Sequence, residues 1–414
     1  MWVARAPGRL DVLGGVADYS GGRVVEMTLA CGTRVGAAAT DDDVIRVRTT
    51  EGPDGASAEV TLPAAEVFAP PEVLGARLRD DPATTWVGYA AGPVAILAEH
   101  AGLAPRGLCI EIESDVPMGA GVSSSAALEV AALMAVMRAL EVEVVDDDVP
   151  LLAQAAEHRV VGAPCGLMDQ VAVYHGDAGR LLPLVCRPMT VEPAVPIPPD
   201  LRLVGIVSGV RHRVGGAAYA RARTAAFMGR TLLGANAAPW LAAYDAPDAD
   251  GCLAALPESL RGDEFLAVHD DHGDPRTRVD PALEYPVRAA TAYPITQSAN
   301  TSTFLAALAR NDVITAGAML GEAHATYGDL GLGCGETDLL AAEVARLGPE
   351  RGLFGARISG GGSGGTVVVL AATGASVDAA LAEVGARYRA ATGITPMLLE
   401  GSSRGARHAG VHHT

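Results

Sequence analysis

The sequence predicts a mixed α/β protein built as two lobes. Three observations carry that prediction. The chain has 414 residues, too many for one ordinary core. Strand-like and helix-like runs alternate along both halves. A proline-dense joint, Val191 to Asp200, holds four prolines in ten residues and stops regular structure. The expected lobes are therefore residues 1–195 and 196–414.

In the first half, Val44 to Arg48 reads as a strand. Leu108 to Glu113 alternates with Glu111 and Glu113 on one face, the mark of a half-buried strand. A glycine-rich turn follows, then a helix from Ser123 to Glu141. After the joint come a strand at Leu203–Val207, helical stretches at Ala217–Leu233 and Ser302–Leu308, and a strand at Phe354–Ile358. A glycine cluster, a strand at Thr366–Leu370 and a helix from about Ser376 to Ala391 complete the series. Asp263 to Asp280 is acidic and turn-rich and is expected to be an exposed excursion. Arg404 to Thr414 is expected to fray, which makes its three histidines adventitious metal ligands at most.

Composition excludes several classes. Hydrophobic residues make up 49% and charged residues 19%, so the chain has ample material for burial. A net charge of −18 argues against generic nucleic-acid binding, which needs a positive face. No secretory leader pattern and no long apolar span is found, so neither export nor a membrane is expected. Six scattered cysteines without a C-x-x-C pair read as reduced thiols, hence a cytoplasmic protein. All 31 basic residues are arginine. Without lysine there is no Walker P-loop, no protein-kinase strand lysine and no Schiff base.

Four segments carry chemistry. Pro117-Met118-Gly119-Ala120-Gly121-Val122-Ser123-Ser124-Ser125 joins a strand to a helix. Gly119 and Gly121 permit close backbone approach, and Ser123, Ser124 and Ser125 fall where free N–H groups and the positive helix end attract anions. An ordinary turn with a serine N-cap has the same composition. Ser359 to Gly365 holds five glycines in six residues, suited to close backbone packing, to a ligand, or to a flexible hairpin. Glu157 and Asp169 flank a Gly-Ala-Pro-Cys-Gly turn; one can hold a metal while the other handles a hydroxyl, or Glu157 can simply end an exposed helix and Asp169 cap the next. Near the N-terminus, Arg9 can offset phosphate charge and Asp18 can accept hydrogen bonds from hydroxyls, with surface salt bridging as the plain alternative.

Together these segments resemble the GHMP kinase superfamily. The serine turn and the triple-glycine segment are similar to its second and third signatures. Arg5 to Tyr19 and Cys165-Gly166-Leu167-Met168-Asp169-Gln170 resemble its galactokinase branch. The resemblance implies a two-lobe fold with ATP and a sugar in the interlobe cleft. It implies Asp169 as the catalytic aspartate beside the anomeric hydroxyl and Arg9 as its partner. Asp18, Gly166 and Tyr219 would contact the sugar, Ser125 and Glu157 would bind Mg2+, and Trp86 would pack near adenine. The branch carries Glu-His where this chain has Gly15 and Val16, and in the family that glutamate receives the hydroxyl on carbon 6. Glycine offers no acceptor, and Val16 fills space, which suits L-arabinose. The Gly-Gly-Val-Ala-Asp-Tyr-Ser-Gly string resembles the kinase region of plant L-arabinokinases. The expectation is thus an ATP-dependent sugar 1-kinase making L-arabinose 1-phosphate. D-Galactose is the alternative substrate, and a catalytically silent sugar-sensing relative the alternative class. Oligomeric state carries no signal in the sequence.

Overall fold

The structure, a computed structural model, describes residues 1–50, 55–210, 216–234, 238–244 and 246–414. Two long strands, Trp2–Leu13 and Arg23–Thr40, open the chain as an antiparallel pair. Their side chains are buried over most of their length, as expected of strands covered on both faces. Between them a 3-10 turn, Gly15–Ser20, starts at Gly14 with φ 113° and ends at Gly21 in the left-handed region. A side chain at Gly14 would also strike Val24, so glycine is required there on two counts.

Among the described residues, the larger of the two main sheets has nine strands and the smaller four. In the larger, Arg23–Thr40 pairs next with Gly107–Ser114, which runs parallel to Val44–Thr49; Ala58–Pro63 forms the edge. Arg180–Cys186 pairs with the start of Arg23–Thr40. The smaller sheet orders Leu353–Ile358, Thr366–Ala372, Leu201–Val207 and Met397–Leu399, all antiparallel. The strand Val195–Pro196 still belongs to the first sheet, whereas Leu201–Val207 starts the second.

The helix Ser124–Ala139 lies across the first two strands and is apolar nearly all round, with Ala126, Val130 and Leu133 fully buried. That pattern marks a helix without a solvent face, so its N-terminus is a fixed point of the fold. One core cluster runs from Leu10 and Leu29 through Val130 to Val368 and Leu370, and so joins both sheets. A second gathers aromatics, Tyr19, Tyr219, Phe227, Tyr293 and Tyr327, beneath the turn at residues 15–20.

Two expectations are corrected. The C-terminal tail does not fray: Ala406–Ala409 is a helical turn, and Val411–His413 pairs with Trp2–Ala4 as an edge strand. The N-terminal ammonium donates to the carbonyl of Thr414, and the Trp2 and His413 rings meet edge to face. The exposed backbone groups of Trp2–Ala4 take the tail as a pairing partner, a long-range event with no local sequence signal. The Asp263–Asp280 segment is not wholly an exposed excursion. Its His272, Asp274 and Thr277 are buried, because Asp274 forms a two-pronged ion pair with Arg223. No helix among the described residues is long and apolar enough to cross a membrane.

Candidate active site

A cavity of about 460 Å³ lies where the serine turn, the 15–20 turn and the glycine segment meet. Ser123, Ser124 and Ser125 line its middle together with Gly119 and Gly121. Gly119, Gly121 and Ser123 all have φ between 59° and 70°, left-handed geometry that costs glycine little and serine more. Ser123 does not cap the helix with its side chain; its hydroxyl is buried and without a hydrogen-bond partner. A buried unpartnered hydroxyl at a helix N-terminus suits an anion better than it suits capping.

The glycine segment connects the strands Leu353–Ile358 and Thr366–Ala372 and packs on the back of the serine turn. A Cβ at Gly365 would stand 2.7 Å from the Ala120 carbonyl, and one at Gly360 3.0 Å from the Gly121 carbonyl. Thr366 Oγ1 donates to the Ala120 carbonyl at 2.7 Å. The segment is therefore a backbone-on-backbone brace, and Gly360 and Gly361 reach the cavity wall.

At one end stands an arginine–aspartate pair. Arg9 Nε and Nη2 both donate to Asp169 Oδ1, at 3.0 and 2.6 Å, while Nη1 holds the Gly121 carbonyl at 2.8 Å. Arg9 engages Oδ1 alone, so Oδ2 is the oxygen left to meet a ligand. Arg9 Nε also lies 3.2 Å from Glu26 Oε2, a fully buried carboxyl that the sequence reading missed. Burial works to lower the Arg9 pKa, but Asp169 and Glu26 overcome it and hold the guanidinium charged.

Asp18 sits beside this pair, and Gly166 lies against it. Any Cβ at 166 would overlap Asp18 Oδ2, so only glycine fits. Burial, then the charge of Asp169, pushes the Asp18 carboxyl up to about 7, against the pull of Arg223. Tyr219 lies at the same end, its ring 6.0 Å from that of Tyr19 in an edge-to-face contact. Gly15 and Val16 complete that wall. Arg211 to Gly215, in the segment that leads to Tyr219, fall outside the described residues.

Glu157 is the one predicted residue that does not reach the cavity surface; it is buried directly behind Ser125. The helix Val149–Ala156 widens into a π turn at Glu157–Val161, which presents the carboxyl inward. Gln170 Nε2 donates to Glu157 Oε2 at 2.7 Å and to Glu129 Oε2 at 3.2 Å, leaving Oε1 of each glutamate without a partner. Burial raises the Glu157 pKa, with hydrogen bonds from Cys165 and Ser125 opposing it. Burial, then the charge of Glu157, pushes the Glu129 carboxyl well up as well, so a cation there would stabilise the ionised pair, whose oxygens beside a serine hydroxyl are hard donors of the kind Mg2+ takes. Glu129 was missed, yet it had a signal: it is the only charged residue between Ser125 and Met137 on an otherwise apolar helix.

The far end is lined by Trp86, Tyr89, Ile112 and Leu128, with the hydroxyls of Thr33, Thr49 and Ser114. Trp86 comes from the 3-10 turn Thr85–Val87 and packs its inner face on the core. Aromatic and aliphatic walls with a few hydroxyls suit a flat heteroaromatic ring.

Family models match in three places. "GHMP kinases N terminal domain" covers residues 88–177, "GHMP kinases C terminal" residues 304–390, and "Galactokinase galactose-binding signature" residues 1–39. A galactokinase of Chloroflexus aggregans is 32% identical over 95% of this chain and 89% of its own. This chain belongs to the galactokinase branch of the GHMP kinases. An L-arabinokinase of Arabidopsis thaliana is also 32% identical, over 98% of this chain, which spans 46% of that protein's length. The crystal structure of Lactococcus lactis galactokinase complexed with galactose superposes with a TM-score of 0.75, at 21% identity, covering 100% of this chain and 95% of that one. A mevalonate kinase superposes at 0.59 with 13% identity, over 97% and 99% of the two chains. The GHMP kinase fold expected from the sequence is thus shown, and this GHMP kinase carries all four predicted segments around one cavity.

Proposed function

We propose that the protein is an ATP-dependent sugar 1-kinase that transfers the γ-phosphate of ATP to the anomeric hydroxyl of L-arabinose. One observation supports this above the others: buried Arg9 and half-buried Asp169 form an ion pair at a cavity whose next wall is the serine-studded helix tip. A hydroxyl acceptor at Asp169 and a triphosphate at the helix tip are thereby neighbours, and such proximity is most of what phosphoryl transfer asks of a protein.

In this reading Asp169 Oδ2 orients the anomeric hydroxyl and can take its proton, while Arg9 fixes the carboxylate through Oδ1. Asp18, Gly166 and Tyr219 hold the ring hydroxyls. The N–H groups at the start of Ser124–Ala139, with the Ser123 and Ser124 hydroxyls, hold phosphate oxygens. Ser125 and Glu157 would bind Mg2+, which supplies charge neutralisation on the phosphates. Trp86 and Tyr89 take the adenine. The two lobes are residues 1–195 and 196–414, save that the tail strand Val411–His413 crosses back to the first sheet, and the cleft between them is this cavity.

L-Arabinose is preferred to D-galactose because Gly15 supplies no side-chain acceptor at the wall beside Asp18. Steady-state kinetics with ATP and Mg2+ on the two sugars side by side is the test. A higher kcat/KM for L-arabinose is expected. A higher value for D-galactose makes the protein a galactokinase, and sugar binding without ADP release makes it a sensor.

A further inference from the structure

Gly15 leaves no hole behind it. A Cβ built there, at φ 53°, would overlap the Tyr327 hydroxyl and stand 2.8 Å from Arg357 Nη2 and 3.0 Å from the Tyr293 hydroxyl. Tyr327, Arg357 and Asp11 are all fully buried and form a closed circuit of hydrogen bonds. Asp11 Oδ1 accepts the Gly15 N–H at 3.1 Å and Arg357 Nη1 at 2.9 Å; Oδ2 accepts the Gly360 N–H at 2.9 Å. The Tyr327 hydroxyl donates to the Gly360 carbonyl at 2.6 Å and accepts from Arg357 Nη2 at 3.2 Å and from the Val16 N–H at 3.4 Å.

Two pieces of cavity wall are fixed by this circuit. Gly15 and Val16 have their N–H groups committed, and Gly360 has both its N–H and its carbonyl committed. All three line the cavity, one pair at the proposed sugar end and the other on the phosphate side. The Asp11–Arg357 ion pair is fully desolvated, and the Tyr293 ring closes on Tyr327 edge to face at 5.6 Å. The backbone groups of the wall named above are held in place by it, while the Tyr293 hydroxyl and Arg357 Nε behind them are buried without a hydrogen-bond partner.

We propose that Tyr327 is a specificity-determining residue: through Arg357 and Asp11 it clamps the Gly15–Val16 turn to the Gly360 loop, so that the site accepts a pentopyranose and rejects the hexopyranose of the same ring configuration. A ring whose reacting hydroxyl is at Asp169 and whose other hydroxyls meet Asp18 turns its remaining edge to that turn. An exocyclic hydroxymethyl group there needs the wall to retreat, and the clamp prevents it. This rests on the sugar-kinase reading. It also means that Gly15→Glu alone does not convert the site, since the new side chain has no place until Tyr327 moves.

The test is Tyr327→Phe, which keeps the ring and removes the hydroxyl that joins Val16, Gly360 and Arg357. The kcat/KM for L-arabinose and D-galactose is measured for wild type and variant. Wild type is expected to favour L-arabinose, and Y327F to shift the ratio toward D-galactose by about tenfold, the scale set by one small group in a pocket. A merely structural role lowers both values alike and leaves the ratio in place, which overturns the proposal; so does a wild type that uses both sugars equally. A wild type inert toward both refutes the sugar-kinase reading itself. If Y327F is too unstable to assay, the thermal midpoints of Gly15→Ala, Tyr327→Phe and the double variant decide. Gly15→Ala must cost less in the Phe background than in wild type, and additive losses overturn the clamp.

Discussion

At the end of the cavity proposed for the sugar, Arg9, Glu26, Asp169, Asp18 and Arg223 are ionisable side chains packed together, with burial pushing the Glu26 and Asp18 carboxyls above their ordinary values. At the other end, Trp86 and Tyr89 face hydroxyls and aliphatic groups, and no charged side chain lines that part of the cavity among the described residues. The two ends therefore differ in what holds them in shape. The charged end is a network in which each group sets its neighbour's protonation and position, so single changes propagate. The neutral end is built from backbone geometry and apolar packing, so single changes stay local. The helix tip proposed for the phosphates lies between them and needs neither lysine nor a charge network.

If that contrast is right, the largest effect comes from Asp169→Asn. Turnover should fall by about 10³-fold, the middle of the range for losing a positioned proton acceptor, while binding of ATP measured by calorimetry stays within about twofold. Wild-type kcat in a purified, folded variant would mean that another group meets the hydroxyl. Next in size is Glu157→Gln. The Mg2+ concentration for half-maximal rate should rise about 10- to 100-fold, with little change in the KM of the sugar. An unchanged metal requirement would move the metal site elsewhere.

The charged end should also respond to pH. Asp18 is held near 7 by burial and by Asp169, so it is protonated below that pH and accepts hydrogen bonds above it. The kcat/KM for the sugar is expected to climb through pH 7, falling about tenfold per unit on the acid side. Stability runs the other way. The folded chain holds a proton on Asp18 that the unfolded chain, with its ordinary value of 3.8, releases earlier, so stability from this group is present at low pH and declines as pH rises toward 7. Asp18→Asn should flatten that part of both profiles. The smallest effect belongs to the neutral end: Trp86→Ala is expected to raise the KM for ATP by about 3- to 10-fold and leave that of the sugar alone. A comparable change in the sugar KM would show that the two ends are not independent.

Much of the site was legible because its signals are local. A strand, a Gly-Ala-Gly turn, three serines and an apolar helix follow one another within about thirty residues, and the backbone rules that connect them to anion binding need no tertiary contact. Glu129 lay in that same window and was readable as a lone carboxylate on an apolar helix. Glu26 was not, because its partner Arg9 comes from the neighbouring strand and only the pairing register brings the two together. Arg223 and Asp274 are further apart still, 51 positions, and their pairing turned an acidic, turn-rich segment from an expected excursion into a partly buried one.

By itself the sequence determined the alternation of strands and helices, the absence of lysine and the identity of the groups at the glycine-serine turn, since each follows from residue types within a few positions of one another. Tertiary structure alone decided that the tail closes the first sheet, that Glu157 meets Glu129, and that the space beside Gly15 belongs to Tyr327 and Arg357. The reason is physical. Backbone preferences act over one turn or one strand, whereas the burial of a charge is settled by whichever partner the fold delivers, here from 346 residues away.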